Sequence, residues 1–330
     1  MDIFTQGVLG ATLAQSSARK EHLRTASFVG LFSGVLADAD ILIKSSTDPL
    51  LTLEYHRHFT HSVFFIPIGA LIAFLLLWPF LRKRLPARYL YFYCCMGFLL
   101  SGFIDACTSY GTHLFWPLMD ERISWHFIPI IDPIFTACLL VTLIIGFKTL
   151  RPVFARTGLL LAGCYLVFAI IQLNRAEQSI YELAEQRNHT IEKIMVKPTI
   201  GNTILWRSVY LSDDEFYIDA VRTGFNKRIY TGTSIERFDM NEAFPEIDKN
   251  TTLYNDIKRF EYFSDGYVSF YPHKPNILGD VRYSMGPLSS IPLWGIEMNL
   301  DEPEQHVKYE FYRSSSKEER QLFIDMLMNR

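Results

Sequence analysis

Long apolar runs alternate with short polar loops through the first half of the chain, and then the pattern breaks. Five apolar segments stand out, about Phe28–Ile43, Val63–Leu81, Tyr89–Ile104, Ile134–Phe147 and Gly158–Leu173, after a less apolar stretch near Phe4–Gln15. Val63–Leu81 is long enough to cross a hydrocarbon core of roughly 30 Å at about 1.5 Å per residue. The shorter segments are flanked by Tyr, Trp and Phe, which sit well at a membrane interface. The pattern predicts a helical membrane domain over residues 1–174, with about five transmembrane helices plus an N-terminal helix. Leu9, Leu13 and the alanines around them suggest that this first helix has small faces. Acidic Asp2, and Gln6, Gln15 and Ser16 within the run, argue against a cleavable signal peptide.

Beyond Leu173 a polar helical run, Arg175 to Lys193, leads into strand-like pieces at Thr203–Tyr210, Glu215–Val221 and Lys227–Tyr230, broken by Asp213-Asp214 and Gly224. Helical periodicity returns at Ser316–Met328, with Leu322, Phe323, Met326 and Leu327 on one side. Residues 175–330 therefore read as a small soluble α+β domain. Composition supports the division: residues 1–174 carry 13 Lys+Arg against 10 Asp+Glu, and residues 175–330 carry 19 against 25. That acidic second half argues against a nucleic-acid partner. All five cysteines lie in the first half, in or beside apolar segments, with no disulfide or zinc-knuckle spacing.

Lysine and arginine gather in three loops: Arg19, Lys20 and Arg24; Arg82, Lys83, Arg84 and Arg88; Lys148, Arg151 and Arg156. The positive-inside rule makes these loops cytoplasmic. Alternating crossings then put the unusual polar residues, and everything after Leu173, on the opposite face.

Four groups there carry candidate chemistry. His56-Arg57-His58-Phe59-Thr60-His61-Ser62 precedes an apolar run, where imidazoles serve either as metal ligands or as interfacial anchors, and Thr60 and Ser62 are good helix caps. Asp38 and Asp40 close an apolar segment where two carboxylates oppose a helix dipole and call for a compensating cation, or else are solvated loop acids. Asp105 lies beside a span, where an ionised group is costly unless paired, with Ser101 one turn before it. Asp132-Pro133 fits a helix N-cap followed by proline at the first helical position. Imidazole nitrogen with carboxylate oxygen suits zinc, manganese or iron.

These ordered motifs, together with Thr5-Gln6-Gly7 and Trp116-Pro117, resemble the YdjM-like family of bacterial inner-membrane proteins, described as membrane-bound metal-dependent hydrolases. The resemblance covers roughly residues 1–147. It implies a divalent metal site, zinc or manganese, formed by Asp38, Asp40, His56, His61 and Asp105, with Arg57 and Thr60 in catalytic support. The location of these residues on one membrane face, taken alone, points to an ester or phosphoester substrate, a membrane lipid or envelope-derived molecule, met at the periplasmic surface. One departure matters: family members usually carry a histidine where this chain has Ser101, and His58 or His113 are the candidate substitutes. The other reading is a non-catalytic membrane protein with a structural or vestigial metal site and a partner-binding outer domain.

Overall fold

The computed structural model describes residues 1–330 and divides into two compact units. Unit 1 comprises Met1–Ile43, Tyr55–Ile171 and Ile200–Thr203; unit 2 comprises Lys44–Glu54, Gln172–Thr199 and Ile204–Arg330.

Eight helices come first: α1 (Ile3–Ser16), α2 (Leu23–Ala37), α3 (Leu51–Tyr55), α4 (Ile66–Leu81), α5 (Ala87–Phe98), α6 (Ser101–Ala106), α7 (Pro133–Thr149) and α8 (Val153–Gln186). Three stretches are long and apolar enough to cross a membrane, Lys20–Leu42, Ala87–Ala106 and Val153–Gln186. A fourth is possible if Leu51–His61 and Ile66–Leu81, bent by 90°, count together, while the apolar helix Pro133–Thr149 falls short of the length. By length and composition the candidate spans number three or four, and the expected count of five is not confirmed. The α8 helix also continues without interruption through the polar run that composition alone sets apart, so the predicted boundary after Leu173 falls inside one helix.

Packing in unit 1 depends on small residues, as lipid-embedded helices require when apolar burial cannot favour association. A Cβ on Gly30 of α2 would collide with the backbone of Gly10 and the side chain of Ala14 in α1, and a Cβ on Gly97 of α5 would meet Ser33 and Gly30. The faces of α1 therefore close backbone to backbone against α2. Next to this seam Leu23, Leu77, Leu90, Tyr93 and Phe98 form a buried cluster. The outer faces stay apolar: Leu160, Val167, Phe168 and Ile171 of α8 are all exposed, as lipid contact demands.

The three basic loops meet at one end of unit 1. Arg24 Nε donates to the Phe147 carbonyl at 3.4 Å, Arg156 Nε donates to the Ser16 carbonyl at 2.9 Å, and the guanidinium groups of Arg19 and Arg88 lie over Tyr89 at 5.1 and 4.8 Å. At the opposite helix ends Asp132 caps α7, accepting from the backbone of Ile134 and Phe135 at 3.0 Å each, with Pro133 first in the helix as expected.

Unit 2 holds two antiparallel sheets. The first is built from β1 (Lys193–Pro198), β2 (Leu205–Ser212), β3 (Glu215–Arg222), β4 (Arg228–Tyr230) and β5 (Ser234–Glu236), in the order β1-β2-β3-β4 with β5 also on β3. Every residue of β2 is buried, so both sheet faces are covered. Two short helices follow, α9 (Met240–Ala243) and α10 (Thr252–Phe263). The second sheet runs β6 (Val268–Tyr271), β7 (Lys274–Asp280), β8 (Trp294–Glu297), β9 (Lys308–Phe311), before a terminal helix, α11 (Lys317–Met328). Met326 of α11 joins Leu205 and Ala220 in the core, with Phe323 and Leu327 packed around them. The sequence pattern anticipates that helix and β2, β3 and β4; β1, β5, β6–β9 and α10 escape it.

Segment Lys44–Glu54 is held into unit 2 by one guanidinium. Arg259 of α10 donates to Asp48 at 3.0 and 3.1 Å, to Glu54 at 2.8 Å and to Asp256 at 3.1 Å. Burial opposes ionisation of Asp48, but the hydrogen bonds and charge of Arg259 outweigh it and lower its pKa. A lowered carboxylate pKa contributes stability that is fully present above the unfolded value of about 4 and is lost as pH falls through the folded value. Protection of Lys44–Glu54 against hydrogen exchange, relative to the intrinsic rate at each pH, is therefore expected to hold at neutral pH and to fall in acid below about pH 4, whereas Arg259→Ala lowers it already at neutral pH and converges with the parent in acid. Equal protection in the variant and the parent at neutral pH would disprove this anchoring.

Candidate metal centre

Where α2 ends, the chain tightens into a 3₁₀ turn, Asp38–Leu42, in which both acidic side chains are buried. Asp40 finds its compensation in donors: its Oδ2 accepts from the backbone N–H of Arg57 at 2.7 Å and from the Thr60 hydroxyl at 3.0 Å. Arg57 reaches this position with φ of 60°, in the left-handed region that non-glycine residues seldom occupy. His56 Nδ1 stands 3.4 Å from Asp40 Oδ1, with its ring against Tyr110.

His61 ends a second 3₁₀ turn, Phe59–His61, ahead of α4. Thr60 Oγ1 is 3.0 Å from His61 Nδ1, and since the hydroxyl proton goes to Asp40, its oxygen is left to accept from Nδ1–H. That tautomer leaves the Nε2 lone pair unused. Thr60 thus orients the imidazole instead of capping α4, whose N-cap is Phe65 with no side-chain hydrogen bond. Ser62 is likewise engaged elsewhere, donating to the carbonyl of Trp116 and accepting from Phe64 N–H at 3.1 Å. The local preference of Thr and Ser for caps gives way here to tertiary partners.

His61 Nε2 lies 3.2 Å from Asp38 Oδ1 and 2.9 Å from Asp105 Oδ2. His61 and Asp105 side chains are fully buried and Asp38 is 8 % exposed. Yet His61 Nε2, Asp105 Oδ2 and Asp38 Oδ2 have no hydrogen-bond partner. Buried polar atoms left without a hydrogen bond carry a desolvation cost of about 1–3 kcal/mol each, unless a cation satisfies them. One nitrogen and two carboxylates within 4.8 Å of one another are a fitting set for a divalent ion. The other oxygen of Asp105 is held by Arg57, whose Nη2 is 3.3 Å away, and by the amine of Met1. Arg57 is fixed in turn by Thr108 Oγ1 at 2.9 Å and the Met1 carbonyl at 3.2 Å.

Of the residues singled out from the sequence, Asp38, His61 and Asp105 come together directly. Asp40 and Thr60 stand behind His61, His56 behind Asp40, and Arg57 behind Asp105. Ser101, although buried, points its hydroxyl at the Phe98 carbonyl at 2.9 Å and does not enter the group. His58 and His113 lie in a separate group and do not replace the missing histidine. Gly102 is the positioning residue that sequence reasoning passes over, because a Cβ there would land on the carbonyl oxygen of His61. Its neighbourhood with Asp105 is visible in the sequence, but the approaching backbone is not.

A family model described as YdjM inner membrane protein matches residues 1–176, a stretch that contains every one of these side chains. The chain belongs to the YdjM family. No curated protein and no solved structure matches it. Membership and the apolar helices together assign the chain to the membrane, and the YdjM match ends within α8, before any strand of unit 2.

Proposed function

We propose that this YdjM-family chain is a membrane-bound metal-dependent hydrolase, with Asp38, His61 and Asp105 as the ligands of a zinc or manganese ion. The observation that carries this reading is the convergence of His61 Nε2 on Asp105 Oδ2 at 2.9 Å and on Asp38 Oδ1 at 3.2 Å, with Nε2, Asp105 Oδ2 and the second Asp38 oxygen, Oδ2, all buried without a hydrogen bond. Three protein ligands leave a coordination position open, as in catalytic centres. When bound, the ion supplies Lewis acidity for a carbonyl or phosphoryl oxygen and makes water more acidic. The chain's own residues do the rest. Thr60 and Asp40 fix the His61 tautomer, an arrangement whose loss elsewhere typically costs 10–100-fold in metal affinity, on the order of that range here too. Arg57, already against Asp105, is the group able to face negative charge that develops on a substrate.

The substrate class is an ester or phosphoester, lipid or envelope-derived, at the periplasmic membrane surface. Support comes from the separation of ends: three basic loops converge at one end of unit 1 and the acidic and imidazole groups collect at the other, which under the positive-inside rule favours a centre outside the cytoplasm. A non-catalytic structural site is the second reading, favoured by the complete burial of His61 and Asp105.

Purified protein in detergent is expected to hydrolyse a generic p-nitrophenyl ester or phosphoester, to lose that activity to a chelator and to regain it with zinc or manganese. Arg57→Ala should lower turnover while leaving the ion bound. Metal uptake without any turnover, and with a fall in thermal stability on chelation, would favour the structural reading instead.

A further inference from the structure

Outside the buried centre, the loop that follows α6 is stitched to the His56–Ser62 segment by its backbone. His113 N–H donates to the Arg57 carbonyl at 3.2 Å, and Val63 N–H donates to the Leu114 carbonyl at 3.0 Å. A two-residue bridge, Thr112 with Ile123, closes the loop on itself through hydrogen bonds of 3.0 and 2.9 Å. These constraints press the His113 ring onto that of His58, with centroids 4.3 Å apart and planes at 41°. Asp120, on the same loop, brings its carboxylate Oδ1 to 3.4 Å from His113 Nδ1.

We propose that His58, His113 and Asp120 form a second divalent metal site, separate from the Asp38–His61–Asp105 centre, which takes a borderline transition ion such as zinc. Three observations carry it. One ligand atom from each residue lies within 4.8 Å of the other two. The 3.4 Å between Nδ1 and Oδ1 matches an edge of a tetrahedron with metal–ligand bonds of about 2.0–2.1 Å, roughly 3.3 Å. Finally, His113 is 3 % exposed and neither of its ring nitrogens is hydrogen-bonded, although burial of an imidazole normally demands a partner for each. The tilted contact with His58 covers one ring face and supplies no partner for the in-plane nitrogens, of which Nδ1 has the Asp120 carboxylate at 3.4 Å.

The donor sets of the two sites differ in a way that predicts selectivity. Two imidazoles and one carboxylate favour zinc over manganese, whereas one imidazole and two carboxylates are more tolerant of manganese. Access differs as well: the side chain of Asp120 is 81 % exposed, so the second site opens to water at its carboxylate edge, while the first is enclosed.

Titrating metal-stripped full-length protein in detergent with zinc chloride tests the proposal. The parent is expected to take up two zinc ions per chain, and His113→Ala and Asp120→Ala one each. His61→Ala should also lose one, but the one that manganese can replace. Asp120→Ala alters an exposed side chain, so it reports on the site even if His113→Ala fails to fold. Parental zinc stoichiometry in a folded Asp120→Ala or His113→Ala protein overturns the second site. A parent that takes up a single zinc, lost in His61→Ala and kept in Asp120→Ala, overturns it equally while leaving the buried centre standing.

Discussion

Replacing His61 with alanine is expected to empty the buried centre, because this imidazole is the one group that touches both carboxylates. Its Nε2 lies between Asp38 and Asp105 at 3.2 and 2.9 Å, and without it two buried acids face each other with no neutral ligand between them. Asp105 keeps Arg57 and the Met1 amine, but Asp38 loses its closest partner. With the ion gone the two buried carboxylates lose the charge that compensates them, so the variant should also unfold at a lower temperature than the metal-bound parent. Asp105→Ala should lose the same ion. Elemental analysis after dialysis, paired with thermal unfolding in detergent, reads both effects. If His61→Ala and Asp105→Ala both retain the manganese-exchangeable ion, the ligand assignment is wrong.

Gly102→Ala should weaken the same ion without touching a ligand. Within a helix this substitution normally stabilises by about 1 kcal/mol, so helix propensity favours it. Contact opposes it more strongly, since the added methyl would occupy the position of the His61 carbonyl oxygen. The 3₁₀ turn Phe59–His61 then has to move away from α6, carrying the imidazole with it. A loss of metal affinity of about 10–100-fold is expected, comparable to removal of a residue that orients a ligand. Manganese titration of the variant measures it; unchanged affinity together with higher stability would mean that the turn has room the geometry denies.

Much of the helical half is legible because the rules that build it are local. Asp132-Pro133 announces the start of α7, and apolar runs locate α2, α4, α5 and α8, although Gly158–Leu173 covers only the middle of α8. Counting spans is less secure, since α7 has the composition of a crossing but not the length, and α4 is reached through a right-angle break. Strands β6–β9 are only four to seven residues long, and Gly279 and Gly295 interrupt any simple alternation in β7 and β8, so their periodicity is too brief to detect. At the site, residue types and order are sufficient to nominate Asp38, His61 and Asp105. What they could not separate is the ligand from its supporter. Asp40 and His56 have the same chemistry as the central three, and only the 3₁₀ geometry of Asp38–Leu42 turns Asp40 toward Thr60 and the Arg57 backbone. Ser101 looks like a vacancy in the sequence; in the structure its hydroxyl is committed to Phe98.

The membership of Lys44–Glu54 in unit 2 has a consequence for the order in which the protein is made. Arg259 grips Asp48 across 211 residues of sequence. During synthesis that short segment leaves the ribosome with α2 already behind it, and none of α10 exists until about two hundred further residues have followed. Loop closure of this length is slow and entropically costly, so the segment is left ungripped through the whole insertion of α4 to α8. A polypeptide beginning after Leu173 is born without Asp48 and Glu54, leaving Arg259 with Asp256 as its remaining acidic partner. Cutting the chain where its composition changes therefore removes a piece of the very domain that the cut is meant to isolate.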